Sequence, residues 1–191
     1  QAINIVDEFL NKNQLIVYTE GAHSQKRSFY ATNQGLFKDG KLIILVNSST
    51  ASASEIVSGA IQDNKRGKIL GRRTFGKGLV QQPLILPDSS ELRITTSRYY
   101  TPSGKCIQKP YGDSINYEND LFDRIESGEL TNSDSMLNQS KFKGGIIPDI
   151  YSPIDTVNYN DLVNKIIYTR RWRDFCFNYY EKYPNIKYSD V

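Results

Sequence analysis

The feature that most constrains this fold is an apolar strand followed directly by a serine-rich turn and a helix. Residues 42–46 read Leu-Ile-Ile-Leu-Val, the longest apolar run in the 191-residue chain. Such a run is typical of a strand buried on both faces of a parallel sheet. Helical periodicity then continues to about Asp63, and residues 67–70 predict the next strand. The order predicts a βαβ unit with a right-handed crossover.

The sequence on either side of this unit predicts further, smaller elements. Before it, we expect a helix, a strand, an exposed loop and an edge strand, at residues 1–13, 15–19, 20–27 and 28–32. After it, alternating β-rich segments predict an antiparallel hairpin, and one more short strand follows, at residues 80–86, 91–99 and 106–108. A helix with strong apolar periodicity closes the chain at residues 160–183.

We therefore predict an α/β fold organised in three parts. Residues 1–109 form the main core. Residues 110–143 are polar and poor in aliphatic side chains, which favours an insertion or surface excursion. Residues 144–191 return to the core and end in the C-terminal helix.

Composition excludes several classes of function. The chain has 24 basic and 21 acidic residues, spread along its length, for a net charge of +3. A clustered basic face for nucleic acid is therefore not expected, and no stretch approaches the roughly 20 apolar residues of a membrane span. One histidine and two distant cysteines give no metal-ligand set. Cys106 and Cys176 could pair, or both could be buried thiols.

Ser52 is placed where a nucleophile for acyl transfer would be expected. It lies between the buried strand and the following helix, flanked by the small residues Ala51 and Ala53. The unpaired N–H groups and positive dipole of a helix N-terminus can stabilise an oxyanion. The same residues also fit the Ser-x-x-Glu capping box, with Glu55 at its fourth position, so that Ser52 could simply cap the helix.

The candidates for a general base are one histidine and one lysine. His23 is the only histidine and lies in a polar segment, where a solvent-facing side chain is expected. A lysine acts as a base when desolvation lowers its pKa. Lys77 stands between Gly76 and Gly78 with Phe75 and Leu79 nearby, and these apolar neighbours could supply a low dielectric. The alternative is a solvated lysine in a glycine-rich turn.

Taken together, the motifs resemble those of the carboxyl-terminal processing peptidases, or tail-specific proteases, of the S41 serine peptidase family. The resemblance spans about 110 residues, in the order Ser-Ala-Ser-Glu-Ile, Ala-Ile-Gln-Asp-Asn, Gly-Arg-Arg-Thr-Phe-Gly-Lys-Gly, Val-Gln, Leu-Arg-Ile-Thr-Thr-Ser-Arg-Tyr-Tyr-Thr-Pro-Ser-Gly and Gly-Ile-Ile-Pro-Asp, at residues 52–56, 60–64, 71–78, 80–81, 92–104 and 145–149. It implies a crotonase- or ClpP-like α/β core.

The resemblance also implies a role for each matching residue. Ser52 would be the nucleophile and Lys77 its general base, in a Ser-Lys dyad without cofactor or metal. Gln81 would orient the lysine, and the backbone N–H of Ala53 would form half of the oxyanion hole. Thr50 stands where the family often has serine. A non-catalytic binding or scaffold module on the same fold is the alternative, because a fold alone does not imply activity.

Some family features are not found in this chain. A segment resembling Asp-Leu-Arg-x-Asn-x-Gly-Gly and a PDZ domain would precede the first helix, so we expect a fragment whose oxyanion hole is half missing and which could be inactive by itself. The expected partners are protein or peptide substrates bound by their C-terminal region, with a homo-oligomer possible. The resemblance points to the bacterial periplasm or cell envelope.

Overall fold

The computed structural model describes residues 1–110, 120–131, 144–154 and 170–183. Within them, two sheets flank a central helix. All the structural statements below refer to these ranges. The predictions made for residues 111–119, 132–143, 155–169 and 184–191 lie outside the described residues.

The first sheet is antiparallel and contains four strands in the order β2-β1-β6-β5. Its strands are β1 (Leu15–Gly21), β2 (Ser24–Tyr30), β5 (Leu79–Ile85) and β6 (Glu91–Tyr100). The predicted hairpin is confirmed: β5 and β6 pair from Leu79↔Arg98 to Ile85↔Glu91. Its edge strand β5 begins two residues after Lys77, so the sheet fixes the end of the lysine segment.

The second sheet is parallel and is built on the predicted βαβ unit. Strands β3 (Ile43–Val46) and β4 (Lys68–Gly71) pair in parallel, and helix α2 (Ala53–Asp63) connects them. Strand β7 (Ile150–Tyr151) adds on the far side of β4. The chain returns to this sheet after the insertion, as residues 144–150 predict.

The core lies between the two sheets and around α2. Helix α1 (Ala2–Asp7) and α2 pack there with both sheets. The larger aliphatic side chains that are fully buried in this core come from α1 and its extension, β1, α2, β4 and the segment after β6: Val6, Leu10, Ile16, Val17, Ile61, Ile69 and Ile107. Burial of each such side chain contributes about 1.5–3 kcal/mol, which holds α2 and therefore Ser52 in place.

Helix α1 is shorter than predicted. It ends at Asp7 rather than near Asn13. The Asp7 carboxylate accepts hydrogen bonds from the backbone N–H and the hydroxyl of Thr32. Asn13 adopts a φ of +69°, which ends helical geometry and turns the chain into β1.

The exposed loop predicted for residues 20–27 is wrong. Strand β2 already begins at Ser24 and pairs with β1 in a tight hairpin. Gln25, Lys26 and Arg27 are exposed because β2 is an edge strand. Charged side chains are common on edge strands, since they discourage pairing with other chains, and they concealed the strand in the sequence.

Strand β3 is not buried on both faces. Ile43 and Leu45 are 58% and 74% exposed, whereas Val46 is buried. The apolar run therefore has one uncovered face among the described residues. The predicted strand at 106–108 is reduced to a single bridge between Cys106 and Tyr100.

The described parts of residues 110–143 and 144–191 also differ from what the sequence predicts. Helix α3 (Asp120–Glu126) lies in the predicted surface excursion, yet Arg124, Glu129 and Leu130 are buried. Helix α4 (Arg170–Lys182) confirms the described part of the C-terminal helix, but its apolar side chains are exposed.

Cys106 and Cys176 are both free; the first is partly buried and the second exposed. Neither alternative that the sequence left open, a disulfide or two buried thiols, is therefore correct. Within the described ranges, no helix is both long and apolar enough to cross a membrane.

Substitution of Gly71 tests the close pairing of β3 and β4. Gly71 has a φ of +135°, and a Cβ there would lie 1.8 Å from the carbonyl oxygen of Val46. We expect Gly71→Ala to reduce the free energy of unfolding by more than the about 1–2 kcal/mol that left-handed backbone alone costs. Gly104→Ala is the control, because Gly104 has a φ of +87° but its nearest neighbour would be 3.6 Å away. Equal losses in urea denaturation would contradict the proposed clash.

Candidate active site

Ser52 has an unusual backbone conformation at the start of α2. Its φ and ψ are +57° and −118°. An N-cap residue normally lies in the β region, and a positive φ is uncommon for any residue other than glycine. Conformations of this kind cost about 1–3 kcal/mol and cluster at functional sites. Ser52 is therefore the N-cap residue by position, but its backbone is not that of an ordinary cap.

The Glu55 carboxylate connects the serine turn to the lysine segment. Glu55 is completely buried. Its Oε2 accepts the N–H of Ser52 at 2.9 Å and the N–H of Lys77 at 2.8 Å. Its Oε1 accepts the Thr74 hydroxyl at 2.5 Å and the N–H of Gly76 at 2.6 Å. The capping interaction predicted for Glu55 is present, but it is one of four hydrogen bonds.

These bonds bring the backbones of Ser52 and Lys77 together. Because both N–H groups bind the same oxygen, the two nitrogens lie within about 5.7 Å, the sum of the two distances. Such charge-assisted bonds are roughly twice as strong as neutral ones. The carboxylate thereby joins two segments that are far apart in the sequence.

Other backbone bonds hold the lysine segment, residues 73–78, on its remaining sides. The N–H of Phe75 donates to the carbonyl of Thr50, at 2.9 Å. The N–H of Gly78 donates to Oε1 of Gln108, also at 2.9 Å. Gly76 has a φ of +87°, and a Cβ there would lie 2.9 Å from Cβ of Lys109. The segment is therefore closely packed around Lys77, and Gly76 is required by its geometry.

The side chain of Lys77 does not share this close packing. It is exposed, so the low dielectric expected from Phe75 and Leu79 is not provided by the described residues. No hydrogen bond joins it to the Ser52 hydroxyl within the part of the chain that the structure describes. The flexible four-carbon stem of lysine starts from a backbone that the structure holds next to Ser52. The role of Lys77 as base stays a prediction.

The side chain of Gln81 also lies apart from Lys77. Gln81 is exposed on β5, and its amide donates to the Thr95 hydroxyl across the hairpin, at 3.4 Å. Ala53, by contrast, is the first residue of α2, and among the described residues no acceptor binds its N–H. An oxyanion could occupy that position. The roles of Gln81 and Ala53 stay predictions.

Ser52 lies at one end of a cleft of about 610 Å³ between the antiparallel sheet and the start of α2. Apolar and polar side chains contribute to its wall in similar measure. The cleft is lined by Ser52, Ala53, Ile56, Val17, Phe29, Val80, Gln82, Thr96 and Tyr99, together with the first residues of α1. It provides a concave surface beside the candidate nucleophile.

His23 is exposed at the turn between β1 and β2, as expected for a solvent-facing residue. It makes no hydrogen bond to Ser52 within the described ranges. No group of histidine, cysteine, aspartate and glutamate among the described residues is arranged to hold a metal ion.

Sequence reasoning missed the full role of Glu55 and Thr74. The Ser-x-x-Glu pattern indicated a local cap, whereas the bonds to Thr74, Gly76 and Lys77 join positions about twenty residues later. A glutamate at the capping position of a helix, followed by a glycine-rich segment at the end of a βαβ unit, is the signal that could have suggested this connection.

Replacement of Glu55 tests how much the site depends on the carboxylate. We expect Glu55→Gln to lower the free energy of unfolding by at least about 2 kcal/mol, because the amide NH2 group would face N–H donors and leave buried groups unsatisfied. Glu91→Gln is the matched control, since Glu91 binds Arg93 at the surface, and its change should stay within about 0.5 kcal/mol. Similar urea midpoints for the two variants would show that the Glu55 bonds contribute little.

Known proteins of one peptidase family are similar to this chain in sequence. A sequence profile of peptidase family S41 matches residues 1–116. The carboxy-terminal-processing protease of Bartonella bacilliformis is 47% identical over 109 residues, which are 56% of this chain and 25% of that protein. The carboxyl-terminal-processing protease of Picosynechococcus sp. is 45% identical over 96 residues, or 50% and 23% of the two chains. This chain spans about a quarter of the length of these curated relatives.

Solved structures agree with the sequence matches. The photosystem II D1 C-terminal processing protease superposes with a TM-score of 0.59 and 28% identity, over 80% of this chain and 30% of that one. A putative S41 protease from Bacteroides fragilis has a TM-score of 0.50 at 12% identity, over 91% and 41% of the two chains, and supports the fold alone. The family profile covers more than half of the sequence, including Ser52, Glu55 and Lys77, and the chain belongs to peptidase family S41.

Proposed function

We propose that this chain carries the Ser-Lys dyad of a serine endopeptidase that processes proteins near their C-termini. The observation that carries the proposal is the shared Glu55 carboxylate, which holds the backbones of Ser52 and Lys77 side by side. The strained Ser52 backbone and the adjoining cleft support it. So do the relatives named as carboxyl-terminal processing proteases.

The proposed reaction is acyl transfer to Ser52. The uncharged amine of Lys77 takes the proton of the Ser52 hydroxyl while Oγ attacks the carbonyl carbon of the scissile peptide. The N–H of Ala53 donates to the developing oxyanion. The intermediate collapses, the C–N bond breaks, and the leaving amine takes the proton from the lysine. Water then attacks the acyl carbonyl carbon while the lysine accepts a proton from it. The C–Oγ bond breaks, the lysine returns the proton to Oγ of Ser52, and the carboxylic acid product leaves.

This mechanism requires water to be excluded from Lys77. Only the neutral amine can accept a proton, and desolvation favours that form. A polypeptide substrate bound at Ser52 that extends from the cleft across the exposed Lys77 side chain would supply that desolvation. Hydrogen bonds between catalytic groups are often loose before substrate binds and tighten in the complex. In this proposal Gln81 turns toward Lys77 at that stage.

Location in the bacterial periplasm or envelope is also part of the proposal. Relatives occur both in bacteria and, as a chloroplastic C-terminal processing peptidase, in Tetradesmus obliquus. Cell fractionation after expression of the complete gene product with its own N-terminal region would test this location.

Single substitutions in the complete gene product test the dyad. We expect Ser52→Ala and Lys77→Ala each to lower kcat/KM for fluorescently labelled denatured casein by at least about 10⁴-fold, because the two groups act as a unit. Lys77→Ala should leave the free energy of unfolding almost unchanged, because its side chain is exposed. Ser52→Ala should lower it by about 1 kcal/mol, the usual cost of a lost N-cap. Ser52→Ala should also abolish covalent labelling by a fluorophosphonate.

The matched controls are Ser54→Ala and Lys105→Ala, which remove an exposed serine and an exposed lysine nearby. Both should keep wild-type activity and labelling. The Lys77 side chain is exposed and lacks a bond to Ser52, which favours the second candidate, a non-catalytic binding module. A complete gene product that neither hydrolyses casein nor reacts with the phosphonate would support that candidate and reject the peptidase.

A further inference from the structure

A second group of charged side chains, most of them buried, lies against the lysine segment. Arg73 binds Glu129 through two bonds, at 2.8 and 3.0 Å. Arg124 donates to the same carboxylate at 3.0 Å, and Lys109 binds Asp120 at 3.0 Å. We call this group the outer charged cluster; its members are Arg73, Lys109, Asp120, Arg124 and Glu129.

Burying these charges costs free energy, and the folded chain nevertheless keeps them buried. Arg73, Lys109, Arg124 and Glu129 are each at most 5% exposed. Burial lowers the pKa of Lys109 and of Arg124, and the carboxylates of Asp120 and Glu129 oppose that effect. Burying a charge costs several kcal/mol unless its geometry and hydrogen bonds are good. Such a cluster adds little net stability, but its hydrogen bonds impose a specific arrangement on the segments that they join.

Arg124 connects this cluster to the backbone of the lysine segment. Its Nη2 donates to the carbonyl of Arg73 at 2.5 Å, and its Nη1 to the carbonyl of Thr74 at 3.4 Å. The hydroxyl of Thr74 in turn binds Glu55. Arg124 and Glu55 therefore both hold the lysine segment. Arg124 binds the carbonyls of Arg73 and Thr74, and Glu55 binds the Thr74 hydroxyl.

The element that carries Arg124 is itself fixed to the parallel sheet. Leu130 is fully buried, and its carbonyl accepts the N–H of Ile154 at 2.9 Å. The hydroxyl of Tyr151 in β7 donates to the carbonyl of Glu129 at 2.7 Å. Residues 120–130 are thus anchored on β7 at one end and on the lysine segment through Arg124.

We propose that Arg124 is a positioning residue for Lys77, and that residues 120–130 of the insertion act as an outer clamp on the lysine segment. The inference rests on the proposed function, because the clamp matters for catalysis only if Lys77 is the base. Its effect is transmitted through the carbonyls of Arg73 and Thr74 and then through the Glu55 bonds to Gly76 and Lys77.

A purely structural cluster would predict something different. Loss of Arg124 would then weaken the fold as a whole and leave the chemistry of the folded enzyme unchanged. A positioning role predicts a local loosening of the lysine segment and a change in how the activity depends on pH.

The test is Arg124→Lys in the complete gene product, with Arg93→Lys as the control at an exposed ion pair. Lysine keeps the charge for Glu129 but cannot bind the carboxylate and two carbonyls together. We expect faster hydrogen exchange at the amides of Gly76 and Lys77, with no change in the amides of α2 after its first turn. The kcat/KM for denatured casein should fall by up to about 100-fold. The pH of half-maximal kcat, which reports the enzyme–substrate complex, should rise because a displaced Lys77 would be less completely desolvated by the bound substrate.

Asp120→Asn provides a second variant if Arg124→Lys folds poorly, since it weakens the ion pairs of Asp120 with Lys109 and with Arg124 and leaves the Arg124 side chain in place. It should give a smaller change of the same kind. Unchanged exchange at Gly76 and Lys77 in both variants would overturn the inference. So would faster exchange with an unchanged pH profile in an active enzyme. If the wild-type protein is inactive, the proposed function fails, while the exchange data still decide whether Arg124 holds the segment.

Discussion

The site depends on the completely buried carboxylate of Glu55. A buried carboxylate is tolerated only when hydrogen bonds satisfy it, and here four donors do so. Three of the donors are backbone N–H groups and the fourth is the Thr74 hydroxyl; one donor comes from the serine turn and three come from the lysine segment. The same bonds that satisfy the charge therefore fix the positions of the Ser52 and Lys77 backbones. The strained backbone of Ser52 is held in part by the bond that its own N–H makes to Glu55.

The rest of the fold supports this carboxylate from several directions. Helix α2 is fixed by its buried apolar face against α1 and both sheets, so Glu55 in its first turn has little freedom. Strand β4 leads into the lysine segment, and β5 leaves it to join the antiparallel sheet. Arg124 reaches the segment from the insertion. A site assembled in this way is rigid in its backbone, and its exposed Lys77 side chain is the part left to adjust when a substrate binds.

Much of the architecture could be predicted because its signals are local. An apolar run followed by a turn, a helix and a strand indicated the βαβ unit, and alternation indicated the β5–β6 hairpin. Ser52 and Lys77 were indicated by the order of short motifs. Edge strand β2 was predicted only at residues 28–32, and its first part was missed because the exposed Gln25, Lys26 and Arg27 resemble a loop.

The remaining features depend on contacts between distant residues, which a single sequence does not report. Glu55 looked like a local cap because its bonds to Gly76 and Lys77 reach positions more than twenty residues later, which a local motif does not report. Arg124 and Glu129 looked like surface residues because charge normally indicates solvent, and their burial depends on mutual pairing. The face of β3 with Ile43 and Leu45 shows the opposite error, in which apolar residues predicted burial that the described residues do not provide.

An experimental structure of the complete gene product after reaction with a fluorophosphonate tests the central claim most directly. We expect the phosphonyl group on Oγ of Ser52, with one of its oxygens facing the N–H of Ala53. We also expect Nζ of Lys77 within about 2.6–3.2 Å of Oγ, with the backbone N–H groups of Ser52 and Lys77 still bound to Glu55. A phosphonyl group on another side chain would contradict the proposed dyad. So would a Lys77 side chain that still points into solvent while the Glu55 bonds remain intact.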